Sequence, residues 1–479
     1  MKHFSFTLSG RAGLVAATAL LLHACAPAQV TPTPTAGLDL SHYLAVGDSY
    51  TAGLSAGGLT RTSQEYSFPN LLAQQFAAAS GGGSFPQPLL EPGTGTGYLN
   101  FVDFAPSGLV RSSRVTGQAF RGNLVINPGT CGTPDTTRLI MRAATASALP
   151  QNLGVPGITL AQYETTGLGN EVNARPGVAF NPYFERLLPA ADSRTYLQAV
   201  ADAAATATFF TYFQGLDDLM PYVRSGGQCG ANEALLPSVT ATMRSNLRKV
   251  LDRLTAKGQP GVIIQLPPLS SLPFLRAGRG LDLEARLQAN FGDTARIYIE
   301  DPINLGGPVH ITNDDYVLAT ALARIGRPTA VVVNGVTLML PYGRSIRNPV
   351  RDADVLDKSR EFDKIDGVRK SYNKEFNDLA STVYKLPVLT PAPTASTLDT
   401  DVLLFNQVVG NNLVPGTIAV AGVQYSPELV RGNFFSLDYY TLTPRGNGLL
   451  ANTIIAALNR VYRTQIPAID VNRLPATAQ

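Results

Sequence analysis

Short apolar runs, each stopped by glycine or proline, punctuate the chain. HYLAVGDS contains Tyr43, Leu44, Ala45 and Val46 before Gly47, and reads as a buried strand. TATFFTYFQG, residues 206–215, is β-branched and aromatic and ends in glycine, a second buried strand. GVIIQLPPL, residues 261–269, is a third, stopped by two prolines, and ARIYIED reads as a further strand. AVVVNGVTLML, residues 330–340, predicts a hairpin turning at Asn334-Gly335. Helical signals lie between and after these runs. SFPNLLAQQFAAA, residues 67–79, carries Pro69 in its first turn. From Val355 to Ala380 the residues Phe362, Ile365, Tyr372, Phe376 and Leu379 recur at three- and four-residue spacings, an amphipathic helix weakened at Gly367. Pro444 to Val461 forms another, with Thr443 as its cap. Strands alternating with helices argue for a parallel α/β sheet, with ligands at the carboxyl ends of its strands. The Gly/Pro-rich stretch up to about residue 150 predicts only loops and short strands, and no internal repeat is visible.

Composition adds compartment. Of 479 residues about 44% are hydrophobic and only 15% charged, which suits one large loop-rich domain. A net charge of +3 without a Lys/Arg block argues against a nucleic-acid role. Lys2, His3 and Arg11 precede the apolar run GLVAATALLL, too short to span a bilayer as a mature helix. LHAC, residues 22–25, resembles a bacterial lipobox in which Cys25 is lipidated. Ala24-Cys25-Ala26 also fits an ordinary signal-peptidase site, so both cleavages stand open. The expected organisation is a signal peptide over 1–24, a Pro/Thr-rich tether over 25–38, and a single domain over 39–479 with insertions near 80–150 and 270–360. Such a chain is exported, and lipidation would anchor it in the cell envelope, expected at the outer membrane. The two remaining cysteines, Cys131 and Cys229, suggest one disulfide. Only His42 and His310 follow the tether, which speaks against a histidine-rich metal centre. Neither a metal nor another cofactor is expected.

The candidate chemistry begins at VGDSYTAG, residues 46–53. Ser49 would project from the carboxyl end of a strand, although a serine at a strand–helix turn is more often a helix cap than a nucleophile. In this stretch the chain resembles the first block of the SGNH, or GDSL, hydrolases. NLGVPG (152–157), GLDD (215–218) and SLDYYTLTPRG (436–446) resemble the following blocks, in order. SFPNLLAQQF, SYNKEFNDLA and LTPRGNGLLAN are similar to an exported lipoprotein branch of that family. The resemblance spans most of residues 42–470. It implies a flavodoxin-like three-layer α/β/α fold and a serine esterase or lipase acting on carboxylic esters. Ser49 would be the nucleophile, Gly157 an oxyanion-hole donor and Asp438 the acid of the triad.

Two departures stand against activity. The family's oxyanion asparagine is here Asp217, whose ionised carboxylate only accepts hydrogen bonds. The family's histidine is here Thr441, which cannot take a proton at neutral pH. Among replacement bases, His42 sits at the far end of the strand carrying Ser49, roughly 20 Å away. His310 lies in an insertion of unassigned position, and Tyr439 or Tyr440 suits packing or ligand stacking better than proton transfer. Asp217, Asp218 and Asp438 would have to converge to bind a hard cation, a reading weaker than structural hydrogen bonding by Asp218. The expectation is an impaired hydrolase of small-molecule esters. The alternative is a non-catalytic envelope protein that binds a lipid or acylated glycan.

Overall fold

The computed structural model describes residues 35–477, apart from 81–82, 106–107, 129–133, 144–148, 229–240, 304–305, 390–406, 410–411 and 415–416. Cys25, Cys131 and Cys229, and with them the anchor and disulfide expectations, lie outside the described residues. Five parallel strands form the central sheet: β1 Tyr43–Gly47, β2 Asn152–Gly154, β3 Phe209–Phe213, β4 Gly261–Ile264 and β5 Val388–Leu389. Their spatial order is β5-β4-β3-β1-β2. Read from the other edge, this is the 2-1-3-4-5 order of doubly wound α/β sheets, whose switch point lies between β1 and β3. The molecule is thus of the α/β class with a parallel sheet.

Strand alternation assigns the layers. Tyr43 and Phe209, paired across β1 and β3, present their rings to Phe76 of helix α2, Phe68–Ser80. Helix α7, Pro444–Val461, packs beside α2, and Tyr462 at its end meets Phe209. Tyr212, on the opposite face of β3, meets Phe376 of α6, Asp363–Asp378. Helices therefore cover both faces, as an all-parallel sheet requires. Every residue of β1 and β3 is buried.

The short helix α1, Ser49–Ala52, fits against the ends of β1 and β2 because two paired glycines stand there. A Cβ on Gly47 would lie 1.9 Å from the Phe213 carbonyl oxygen. A Cβ on Gly154 would lie 2.2 Å from the Ala52 nitrogen.

Several expectations change. Val355–Asp357 is a strand, antiparallel to Asp315–Val317, and a wide helical turn at Lys358–Phe362 precedes α6. The hydrophobic periodicity over 355–380 does not distinguish these because the strand is only three residues long. In ARIYIED only Tyr298–Ile299 pairs as a strand, antiparallel to Val309–His310 and outside the central sheet. Its apolar residues serve a second core in the 270–360 insertion, around Ile297, Ile299, Val317 and Val350. The region before residue 150 holds two hairpins, Gly97–Phe104 with Val110–Thr116 and Phe120–Pro128 with Pro134–Ile140.

Candidate active site

Ser49 is the first residue of α1, just past the carboxyl end of β1 at the switch point. Asp48 caps that helix by accepting the Tyr50 N–H at 3.2 Å. Its other oxygen accepts the N–H groups of Gly215 at 3.0 Å and Asp217 at 3.3 Å. One buried carboxylate therefore joins the starts of α1 and of α4, Leu216–Arg224. Burial, then the neighbouring Asp217, pushes the Asp48 carboxyl well above the usual range.

The joint brings Asp217 to Ser49. Asp217 Oδ2 accepts the Ser49 hydroxyl at 2.5 Å, the Ser49 N–H at 3.1 Å and the Gly157 N–H at 2.7 Å. Two of these three donors are backbone N–H groups, both turned to one carboxylate oxygen. Gly157 turns its N–H inward with a φ of +74°, a left-handed conformation that suits glycine. Burial raises the Asp217 carboxyl, opposed by the Ser49 and Gly157 hydrogen bonds.

Asp438 and Thr441 stand in a different arrangement. Asp438 Oδ1 accepts the Ser436 hydroxyl at 3.0 Å and the N–H groups of Tyr440 at 3.1 Å and Thr441 at 2.8 Å. Its Oδ2 accepts the Gly57 N–H at 2.7 Å and the Thr441 hydroxyl. Thr441 is fully buried, with its hydroxyl 2.8 Å from that of Ser436. Asp438 thus braces a tight turn, closed by the Tyr439 N–H donating to Ser436 O at 3.1 Å and by Tyr439 at a φ of +70°.

The neighbour that this turn delivers to Ser49 is Tyr440. Its phenol lies near Ser49, and burial raises its pKa. Tyr440 is only 3% exposed. The Tyr50 hydroxyl donates to its carbonyl, and the exposed Arg224 lays its guanidinium over its ring at 4.4 Å. Sequence reasoning gave Tyr440 a packing or ligand-stacking role and passed over Asp48 and Arg224. Asp48 stood inside the GDS motif. The available signal for Arg224 was its place seven residues after Asp217, two turns along one helix.

The other candidates are committed elsewhere. His42 is exposed at the start of β1, the end opposite Ser49. His310 Nε2 lies 2.8 Å from Glu284 Oε2 in the insertion, and none of the hydrogen bonds of Ser49 among the described residues involves it. Asp218 accepts from Leu160 N–H at 2.9 Å and Gln214 Nε2 at 2.8 Å. Asp217, Asp218 and Asp438 therefore keep separate donors instead of converging. No group of three metal-ligating acidic, histidine or cysteine residues occurs among the described residues.

No family model, curated protein or solved structure matches this chain.

Proposed function

We propose that the chain is an exported SGNH/GDSL-type pseudo-esterase, tethered to the envelope through Cys25. It would bind a lipid or acylated glycan without hydrolysing it. The four motifs in order and the 2-1-3-4-5 strand order support the class. The observation that carries the loss of turnover is the triple contact of Asp217 Oδ2 with Ser49 Oγ, Ser49 N and Gly157 N. An ester carbonyl would have to displace a carboxylate from both backbone donors. After that, no imidazole receives the serine proton. Losing the histidine of a triad costs roughly a millionfold in subtilisin. Here the oxyanion donors that normally sustain the residual rate are also occupied.

One observation favours the esterase reading. The Ser49 hydroxyl already donates to a carboxylate whose basicity burial raises. In that reading Asp217 takes the proton, Oγ attacks the ester carbon, the alcohol leaves with the proton, and water then releases the acid. Hydrolysis of short p-nitrophenyl esters and labelling by a fluorophosphonate decide between the two. The full chain is expected to match Ser49→Ala in both assays. Turnover by the unaltered chain that Ser49→Ala abolishes would overturn the pseudo-esterase and establish the esterase.

A further inference from the structure

The hairpin Pro328–Val333 and Val336–Pro341 stands off the second core. Neither strand contains a buried residue. Residues 328–341 carry no charge. Val332, Val336 and Met339 are 69%, 58% and 64% exposed. Val332 pairs with Thr337 and Ala330 with Met339 on one face, while Val333 pairs with Val336 on the other. The face of Ala330, Val332 and Met339 is therefore uncharged and wet, while on the other face Val331, Val333, Leu338 and Leu340 are half-buried and Val336 is exposed, an arrangement soluble proteins usually avoid.

The foot of the hairpin is cationic. From Tyr316 through Arg351 the chain has five arginines and no acidic residue. Arg324 and Arg351 pair with Asp354, and Arg344 with Asp293. Arg327 and Arg347 are exposed, and neither guanidinium meets a carboxylate among the described residues. Arg347 and the 54% exposed Ile346 sit on a turn bound to the hairpin by Asn348, whose amide donates to Thr329 Oγ1 and Leu340 O at 2.7 Å each.

We infer that this hairpin is a lipid-surface probe: its tip enters the acyl boundary of an anionic bilayer while Arg327 and Arg347 meet the headgroups. An uncharged exposed tip above two arginines without carboxylate partners among the described residues matches the layering of an anionic bilayer, apolar inside and negative at its surface. The paired strands satisfy each other's inward backbone groups, and their outward edges confine the hairpin to the interface, where water and headgroups still reach them. Six residues per strand span roughly 20 Å, enough to reach the 5–10 Å depth at which interfacial elements settle. This inference does not depend on the state of Ser49.

The chain contains no tryptophan, so one introduced indole reports without background. The full-length chain carrying Val332→Trp would be mixed with vesicles of phosphatidylcholine alone or with phosphatidylglycerol. Val172→Trp, at a 66% exposed position on another element, is the control for attachment through the leader alone. The expected result is a blue-shifted emission, quenched by brominated acyl chains, for Val332→Trp with anionic vesicles and none for Val172→Trp. Adding Arg327→Gln and Arg347→Gln to Val332→Trp should weaken partition roughly 30-fold, since each arginine near an anionic surface contributes about fivefold. An indole at 332 that no vesicle shifts, or one that responds no more than that at 172, overturns the inference. So does binding indifferent to both anionic lipid and the two arginines.

Discussion

One oxygen of Asp217 receives the hydroxyl of Ser49 at 2.5 Å together with the Ser49 N–H at 3.1 Å. The same oxygen also receives the Gly157 N–H at 2.7 Å, so one side chain holds donors from the segments after two neighbouring strands. The relationship makes Asp217 a structural keystone, because it satisfies donors from the ends of two strands.

Truncating that keystone should be costly. Asp217→Ala leaves the Ser49 N–H and hydroxyl without their acceptor and is expected to lose about 2–4 kcal/mol. Asp217→Asn keeps one acceptor oxygen and should lose about half as much or less. Urea denaturation of the three proteins checks the order, which reverses if Asp217 is a strained, unfavourable group.

The contribution of Asp218 to stability should fall as pH rises from about 4 towards 7. Burial pushes its carboxyl up to about 7. The unfolded chain releases this proton near pH 4 while the folded chain still holds it. The contribution is therefore present at low pH and declines through this window, by at most about 1.4 kcal/mol per pH unit. The penalty of Asp218→Asn, measured by denaturation, should therefore be smaller at pH 8 than at pH 5.

Gly47→Ala and Gly154→Ala should each cost at least about 3 kcal/mol, beyond ordinary overpacking, because each Cβ meets backbone atoms. Gly367→Ala, in helix α6, meets nothing within 4 Å and should stabilise by up to about 1 kcal/mol. Thermal unfolding of the three variants separates the two effects.

The stacking of Arg224 on Tyr440 should couple the two residues by about 0.5–1 kcal/mol. A double-mutant cycle with Arg224→Ala and Tyr440→Leu measures it, and a coupling near zero would remove Arg224 from the account of the closed site.

Local patterning was enough for three of the sheet's five strands and much of its cover; β2 and β5, two or three residues long, were too short to show a pattern. The apolar runs at β1, β3 and β4 exclude water on both faces, and Thr443-Pro444 starts α7 by local capping. Asn334-Gly335 closes its hairpin by turn geometry alone, with φ of +49° and +81°. Such signals are legible because they are decided within a few residues. Tertiary structure decided the site. Whether Asp217 repels, coordinates or plugs depends on where the Gly157 turn and α1 stand relative to α4, a relation between segments 60 and 168 residues apart. The last motif divides the same way. The resemblance read from the sequence would put Thr441 in a histidine's place. Only the folded turn, with Asp438 drawing in the Thr441 N–H and Gly57 N–H, directs Thr441 inward and leaves Tyr440 beside Ser49. The physical reason is that a buried carboxylate takes the donors that three-dimensional packing supplies, and spacing along the chain does not list them.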